Sequence, residues 1–235
     1  PWSQVYLSLA AGRESGLKTL KQAADLDDYH KKRDQLCYLT SHLSPHLKYG
    51  TVSIREAYET LTNRELKKQL YWRTHYFILA NWRLQKFPDN VFDYYKNKKW
   101  SGYEPLTKIN WTSGKKQKKY YQAMWSGQTG FPIVDACIRQ LNQTGWMHNR
   151  GRLLVANFSI KILHLSMESG QKEFSKRLLD CCYANNFGNW AWILGVYDTT
   201  GFRYGKKGTY SGRLFSEPIN PTKADSDLEF IRKWI

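Results

Sequence analysis

An all-α fold is predicted by three features of the sequence. Apolar residues recur at helical spacing in several windows, capping residues with Pro and Gly punctuate those windows, and no segment alternates apolar and polar residues as a strand would. The chain of 235 residues is 41% hydrophobic and 15% aromatic, enough for one large core or two smaller ones and too apolar for a disordered chain. No internal repeat is visible.

The helices follow in chain order. Ser53-Ile54-Arg55-Glu56 is a capping-box pattern, which predicts a helix to about Thr62. Asn63 is placed to cap the next, in which Leu66, Leu70, Phe77 and Asn81 recur near helical spacing. Pro132 suits the first turn of a third helix, Ile133, Ala136, Cys137, Gln140 and Leu141 form its apolar-leaning face, and Gly145 ends it. Leu154, Phe158, Ile162 and Leu165 stripe a fourth. A fifth is expected over Glu173 to Tyr183, and a short sixth over Asp227 to Trp234. Thr40 to Gly50, Lys86 to Lys119 and Gly195 to Gly212 read as irregular.

Charge narrows the function classes. Lys and Arg number 36 against 20 Asp and Glu, a formal charge of +16, and such a field draws in polyanions. Nucleic acid is the first expected partner, an anionic membrane surface the second, and a merely basic surface the plain alternative. The lysines of 115–119 and the group Arg203, Lys206, Lys207 are interleaved with or near Trp100, Tyr103, Trp111, Tyr120 and Tyr121, and that mixture suits bases and phosphates together. Cys37, Cys137, Cys181 and Cys182 form no CxxC, and Pro45 lies between His42 and His46, so no metal site is expected. Reduced cysteines point to an intracellular compartment. No apolar run reaches membrane-spanning length. The chain opens on Pro1 and closes on Arg232-Lys233-Trp234-Ile235, so a fragment or excised domain is expected.

Two local patterns suggest binding chemistry. Thr40, Ser41 and Ser44 crowd hydroxyls and backbone N–H groups into one turn, which fits either an anion site or ordinary helix capping. Asn149 and Arg152, three apart, share one face at a helix start.

Four blocks carry a family resemblance. They are Thr40-Ser41-His42-Leu43-Ser44-Pro45-His46-Leu47-Lys48-Tyr49-Gly50; Leu70-Tyr71-Trp72-Arg73 with Tyr76; Thr129-Gly130-Phe131-Pro132-Ile133-Val134-Asp135-Ala136 through Thr144-Gly145-Trp146-Met147-His148-Asn149-Arg150-Gly151-Arg152; and Asn186 to Trp192. From Tyr29 to Ile235 the sequence resembles the helical FAD-binding domain of photolyases and cryptochromes, the third block most specifically. The resemblance implies one helical FAD- and DNA-binding region over 1–235. Its first part, to about 125, would carry the phosphate turn, and its second, from about 126, the flavin and lesion pocket.

The resemblance also implies roles. Thr40, Ser41, Leu43 and Ser44 would grip the FAD pyrophosphate, with Tyr29 and Arg33 nearby. Asn149 and Arg152 would lie at the flavin ring, Arg152 paired with Asp180 on the next helix. Asn186 would stand opposite flavin N5, and Cys182 near the ring. Trp72, Trp192, Gln69, Asn149 and Leu153 map to the pocket for a flipped-out base. Arg150 and Arg213 match phosphate-contacting positions, and the basic loop with Lys206 and Lys207 is expected at the DNA face. Trp190 matches the tryptophan nearest the flavin in a three-Trp relay, with Trp111 as a candidate outer member.

Departures bear on activity. Gln69 stands where enzymes for cyclobutane dimers carry Glu, as expected of (6-4) photolyases and animal-type cryptochromes. Leu153 replaces a frequent Met, Thr74 a Glu, and Cys182 a second Asp. Met167 occupies the middle relay position, so another aromatic such as Trp146 or a nearby Tyr must substitute or photoreduction is weak. The expected function is light-driven repair of pyrimidine dimers in DNA. A blue-light photoreceptor and a catalytically silent relic are the alternatives. The antenna chromophore's domain is not expected in this chain, which would act as a monomer, with a separate antenna polypeptide if any, in a DNA-containing compartment.

Overall fold

The computed structural model describes residues 10–86, 110–194 and 221–235, and among these there is no strand. The helices are α1 Gly12–Ala24, α2 Tyr29–Lys32, α3 Ser44–Tyr49, α4 Ile54–Thr60, α5 Arg64–Lys86, α6 Gly114–Ser126, α7 Pro132–Thr144, α8 Asn149–Asn157, α9 Met167–Arg177, α10 Tyr183–Leu194, α11 Pro221–Ala224 and α12 Glu229–Trp234. A π-helical turn, Phe158–Ile162, continues α8. None of the described helices is long and apolar enough to cross a membrane, and no group of metal-ligating side chains gathers among the described residues.

Local chemistry starts several helices where the sequence predicts. Ser53 Oγ accepts from the Glu56 N–H at 3.1 Å, and Glu56 accepts from the Ser53 N–H at 2.9 Å, which is a complete capping box. Asn63 Oδ1 accepts from the N–H groups of Glu65 and Leu66 at 2.9 and 3.3 Å, opening α5. Pro132 sits in the first turn of α7 and Gly145 ends it with φ 67°. The loop before α7 is tied down by Asp135, which accepts from Thr129 N at 2.8 Å, Thr129 Oγ1 at 2.6 Å and Gly130 N at 3.0 Å.

Elsewhere tertiary contacts move the boundaries. The helix expected over Glu173 to Tyr183 is two helices, α9 and α10, with Leu178 extended at ψ 124° between them. The Leu179 N–H donates to Gly145 O at 2.8 Å across the fold and so is lost to α9. The sixth helix starts at Glu229, not Asp227, because Asp225 caps it through Phe230 N at 3.0 Å and Ile231 N at 2.9 Å. Lys115 to Lys119 lie in α6, and Ser44 to Tyr49 form α3, both inside stretches expected to be irregular. Ile162 ends a π-helical turn that replaces the last turn of the fourth expected helix.

Two cores result. Leu20, Ala23, Tyr29, Leu43, Val52, Ala57, Leu61, Leu66 and Leu70 make the smaller one, under α1 to α5. The larger one packs α6, α7, α8, α9, α10 and α12 around Trp125, Ile138, Leu154, Phe158, Phe174 and Trp190. Leu36 joins the larger core, and its N–H donates to Ala224 O at 2.7 Å. Helices α5 and α10 pack together between the two cores. Their contact depends on Gly188, where a Cβ would lie 2.2 Å from Tyr76 Cδ1.

Candidate functional site

The most informative cluster forms where the end of α7, the start of α8 and the α9–α10 turn meet. Gly145 O holds Leu179, which brings Asp180 to the start of α8. Arg152 Nη2 donates to Asp180 Oδ2 at 2.8 Å, and Arg152 Nε donates to Met147 O at 2.9 Å. The expected pair therefore forms, although Asp180 sits in the turn before α10 rather than on a helix. Its carboxylate side chain is 2% exposed, and Oδ1 is buried without a hydrogen-bond partner. Such an atom wants a donor that the described residues do not supply.

Asn186, one turn into α10, completes the cluster. Its Nδ2 donates to Gln171 O at 2.9 Å and Ser175 Oγ at 3.1 Å. With the NH₂ group held there, the amide oxygen is left as an acceptor. The Cys182 carbonyl accepts from the Asn186 N–H at 2.8 Å, so Cys182 enters through its backbone at the start of α10. Asn149 begins α8 and is exposed, and Leu153 one turn later is buried.

Two histidines join that the sequence did not single out as functional. His148 caps α8, its Nδ1 accepting from the Arg150 N–H at 3.1 Å. Burial, with the Arg150 and Arg152 charges adding to it, pushes its pKa down to about 4, so it is neutral at physiological pH. His42 stacks on Trp146, with centroids 4.3 Å apart and planes at 28°. Burial lowers the His42 pKa and the nearby Asp180 carboxylate opposes that. His42 also has φ 49°, a conformation unusual outside Gly, which turns the 40–44 segment into α3. In that segment Leu43 is buried and its N–H reaches Ser41 Oγ at 3.5 Å, while Thr40 and Ser41 are half-buried and Ser44 is exposed.

A second group lies around α2. Tyr29 is buried beside Tyr38, and burial raises its pKa while Arg33 and Arg150 oppose the rise. Arg33 approaches Glu65 at 3.6 Å and Asp34 at 3.8 Å. Arg150 donates to Asp34 through Nε at 2.7 Å and lies 2.6 Å from it through Nη2, with only 11% of its side chain exposed. This guanidinium is held by a carboxylate as found, and the pairing with Asp34 has no simple sequence signal at a separation of 116 residues. Gln69, half-buried on α5, donates to Glu65 O at 3.1 Å.

The tryptophans divide by exposure. Trp72 and Trp192 are 49% and 43% exposed, wide apolar faces open to solvent on the two packed helices α5 and α10. Trp72 tilts over Tyr76 at 6.5 Å and meets His75 edge-on at 5.7 Å. Trp190 is 1% exposed and lies against α9. Met167 is buried at the start of α9, and Trp111 packs on the edge of the larger core. Lys206, Lys207 and Arg213 lie outside the described residues.

Comparison with known proteins identifies the family of this helical region. Residues 66–235 match the family described as the FAD binding domain of DNA photolyase. The deoxyribodipyrimidine photo-lyase of Vibrio cholerae is 34% identical over 224 residues, covering 89% of this chain and 43% of that protein. That of Streptomyces griseus is 33% identical over 234 residues, covering 95% and 46%. Among solved structures, the archaeal photolyase of Sulfolobus tokodaii superposes with a TM-score of 0.72 at 32% identity, covering 96% of this chain and 46% of that one. The class III photolyase of Agrobacterium tumefaciens gives 0.77 at 28%, covering 99% and 46%, and the cryptochrome of Synechocystis gives 0.74 at 25%, covering 99% and 47%. The chain thus spans less than half the length of these relatives. With the helical fold and the Arg152–Asp180–Asn186 cluster in place, the chain belongs to the photolyase family, in its FAD-binding domain.

Proposed function

We propose that this chain binds FAD and, with DNA held against α5 and α10, serves light-driven repair of pyrimidine dimers. The observation that carries the reading is the set of open valences in the α8–α10 cluster. Asp180 Oδ1 is an orphaned buried acceptor, Arg152 is clamped by Met147 O and Asp180, and Asn186 keeps only its amide oxygen free. These atoms fit the polar edge of a flavin ring, which offers both N–H donors and carbonyl acceptors. Held there, FAD would supply light-driven one-electron transfer chemistry for splitting the dimer.

The chain's own residues hold and orient. Arg152 and Asp180 would fix the ring edge, with Asn149 and Cys182 beside it, and Asn186 would accept a hydrogen bond from a protonated ring nitrogen. Thr40, Ser41, Leu43 and Ser44, with Tyr29 and Arg33, would hold the pyrophosphate. A dimer must leave the duplex to approach a buried ring, and the half-exposed Trp72 and Trp192 are suited to stack on it, beside Gln69 and Leu153. The charge of +16 supports a phosphate-backed approach, with Arg213, Lys206 and Lys207 as further contacts. Arg150 joins them where phosphate displaces Asp34. The protein would act as a monomer in a DNA-containing compartment, its antenna, where one is used, supplied by another domain or polypeptide.

Gln69 favours a second reading, a photoreceptor of the same fold. An amide in the base pocket lacks the charge of the carboxylate expected for cyclobutane dimers. The test is a visible spectrum of the purified chain, then illumination with reductant and oligonucleotides carrying a cyclobutane or a (6-4) lesion beside Trp72 and Gln69 variants. Repair of either lesion is the expected result. Flavin bands without repair of either would overturn the repair reading in favour of the photoreceptor, and no flavin after incubation with excess FAD would refute both. DNA affinity should also fall steeply with salt, and a flat response would remove the basic surface from the interface.

A further inference from the structure

The larger core contains a line of rings that leads away from Trp190. Phe174 meets Trp190 at 5.2 Å and 71°, Trp125 meets Phe174 at 5.8 Å and 78°, and Tyr121 meets Trp125 at 6.4 Å and 61°. Trp190, Phe174 and Trp125 are 1%, 2% and 4% exposed, while Tyr121 is half-buried and reaches the edge of the core. The alternatives are poorer. Met167 is a thioether, Trp146 stacks on His42 near Asp180, and Trp111 has no ring partner among the described residues.

Resting on the flavin reading above, we propose that Trp190, Trp125 and Tyr121 form this chain's photoreduction relay, with Phe174 as the bridge and Glu173 as the proton acceptor at its end. Trp190 lies one turn from Asn186 on α10, so the line begins at the flavin cluster. The indole N–H groups of Trp190 and Trp125 are both buried with no acceptor among the described residues. An oxidised indole therefore cannot shed its proton there, and the positive charge stays mobile. Arg177 lies over the Trp125 ring at 5.8 Å and disfavours a resting positive charge on it, driving the charge outward.

The outer end is built differently. Tyr121 donates its phenolic hydrogen to Glu173 Oε1 at 2.5 Å. Glu173 is 4% exposed and is kept ionised by Lys176 at 2.8 Å and Arg177 at 2.9 Å. Oxidation of a phenol requires loss of its proton, and here a carboxylate waits to take it. Trp190 gives one electron to the light-excited oxidised flavin, Trp125 refills Trp190, and Tyr121 refills Trp125. In the last step the Tyr121 O–H bond breaks and a Glu173 carboxyl O–H forms. A thiolate in solution then returns one electron to the Tyr121 phenoxyl radical as Glu173 returns the proton. The net change is one electron from thiolate to flavin.

The test uses the full chain loaded with FAD, with variants Trp125→Phe, Tyr121→Phe, Trp111→Phe and Trp146→Phe. Tyr121→Phe keeps the ring and removes only the hydroxyl, so it reports on the relay even where Trp125→Phe disturbs the core. Two readouts are taken: bleaching of the oxidised flavin band under blue light with thiol, and the electron paramagnetic resonance signal of a tyrosyl radical. Trp125→Phe and Tyr121→Phe are expected to keep bound flavin and lose photoreduction, Tyr121→Phe to lose the tyrosyl signal, and the other two to behave as the parent. Parent-like photoreduction in both relay variants, or its loss in Trp111→Phe or Trp146→Phe, overturns the relay alone. A parent chain that takes up no flavin overturns the flavin reading and the relay with it.

Discussion

Replacing Gly170 with Ala tests how tightly Trp190 is held. A Cβ at Gly170 would lie 2.2, 2.5 and 2.8 Å from Trp190 Cη2, Cζ3 and Cζ2. Three ring atoms inside 3 Å cannot be relieved by a small rotamer adjustment. The indole is 1% exposed and Phe174 lies against it at 5.2 Å, so it has no free space behind it. Overpacking of this kind costs about 1–3 kcal/mol, and contacts this hard belong at about 3. Ala is favoured over Gly inside a helix by about 1 kcal/mol. The overpacking wins, leaving a net loss of about 2 kcal/mol, which for a chain of this size lowers Tm by about 4–8 °C. Urea denaturation followed by tryptophan fluorescence and circular dichroism reads this directly. Unchanged or raised stability in Gly170→Ala would refute the close packing of α9 on α10. In flavin-loaded protein the same variant should also slow photoreduction, because the first relay ring is displaced from its neighbours.

Other outcomes follow from the same geometry. Arg152→Ala leaves the Asp180 carboxylate buried and unpaired, a loss of about 3–5 kcal/mol for a buried pair, and about 3 here because Arg152 is 25% exposed; a shift below 1 kcal/mol in urea midpoint analysis would count against the pair. His148 has its pKa pushed down to about 4 in the fold, against about 6.5 when unfolded, so the unfolded chain binds the extra proton and stability falls as pH drops through that window and levels below it. The loss is about 3 kcal/mol by the usual conversion, and His148→Gln should flatten the stability–pH curve between those values, whereas an unchanged slope would show that other groups cause it. Trp72→Ala should leave Tm nearly unchanged, since the ring is 49% exposed, yet weaken lesion-DNA binding by about 1–3 kcal/mol in a titration; equal affinity would remove Trp72 from the stacking wall.

The parts of the fold legible in the sequence were those governed by neighbours in the chain. The Ser53–Glu56 capping box, the Asn63 cap, Pro132 at the start of α7 and Gly145 at its end are all local chemistry, and the structure contains each. The illegible parts were governed by distant partners. Nothing near Leu179 signals that its N–H goes to Gly145, and that bond ends the helix expected to run from Glu173 to Tyr183. Residues 115–119 read as part of an irregular basic stretch, because the apolar half of α6, with Met124 and Trp125, begins only afterwards. Asp34 carries no motif, yet it captures Arg150 from across the chain.

By itself the sequence determined the all-α class, the positive field and membership of a flavin-binding family, because composition, periodicity and ordered motifs are properties of the chain. It also placed Arg152 with Asp180, since both positions lie in or beside those motifs. Only the tertiary structure decided which way each polar atom faces. Asn186 presents its oxygen because Gln171 and Ser175 occupy its nitrogen. Only the structure, too, aligned Trp190, Phe174, Trp125 and Tyr121. Tyr121 and Trp125 are one turn apart on α6, but the edge-to-face contacts of Trp125 with Phe174 and of Phe174 with Trp190 join three helices, and no spacing along the chain encodes side-chain packing between helices.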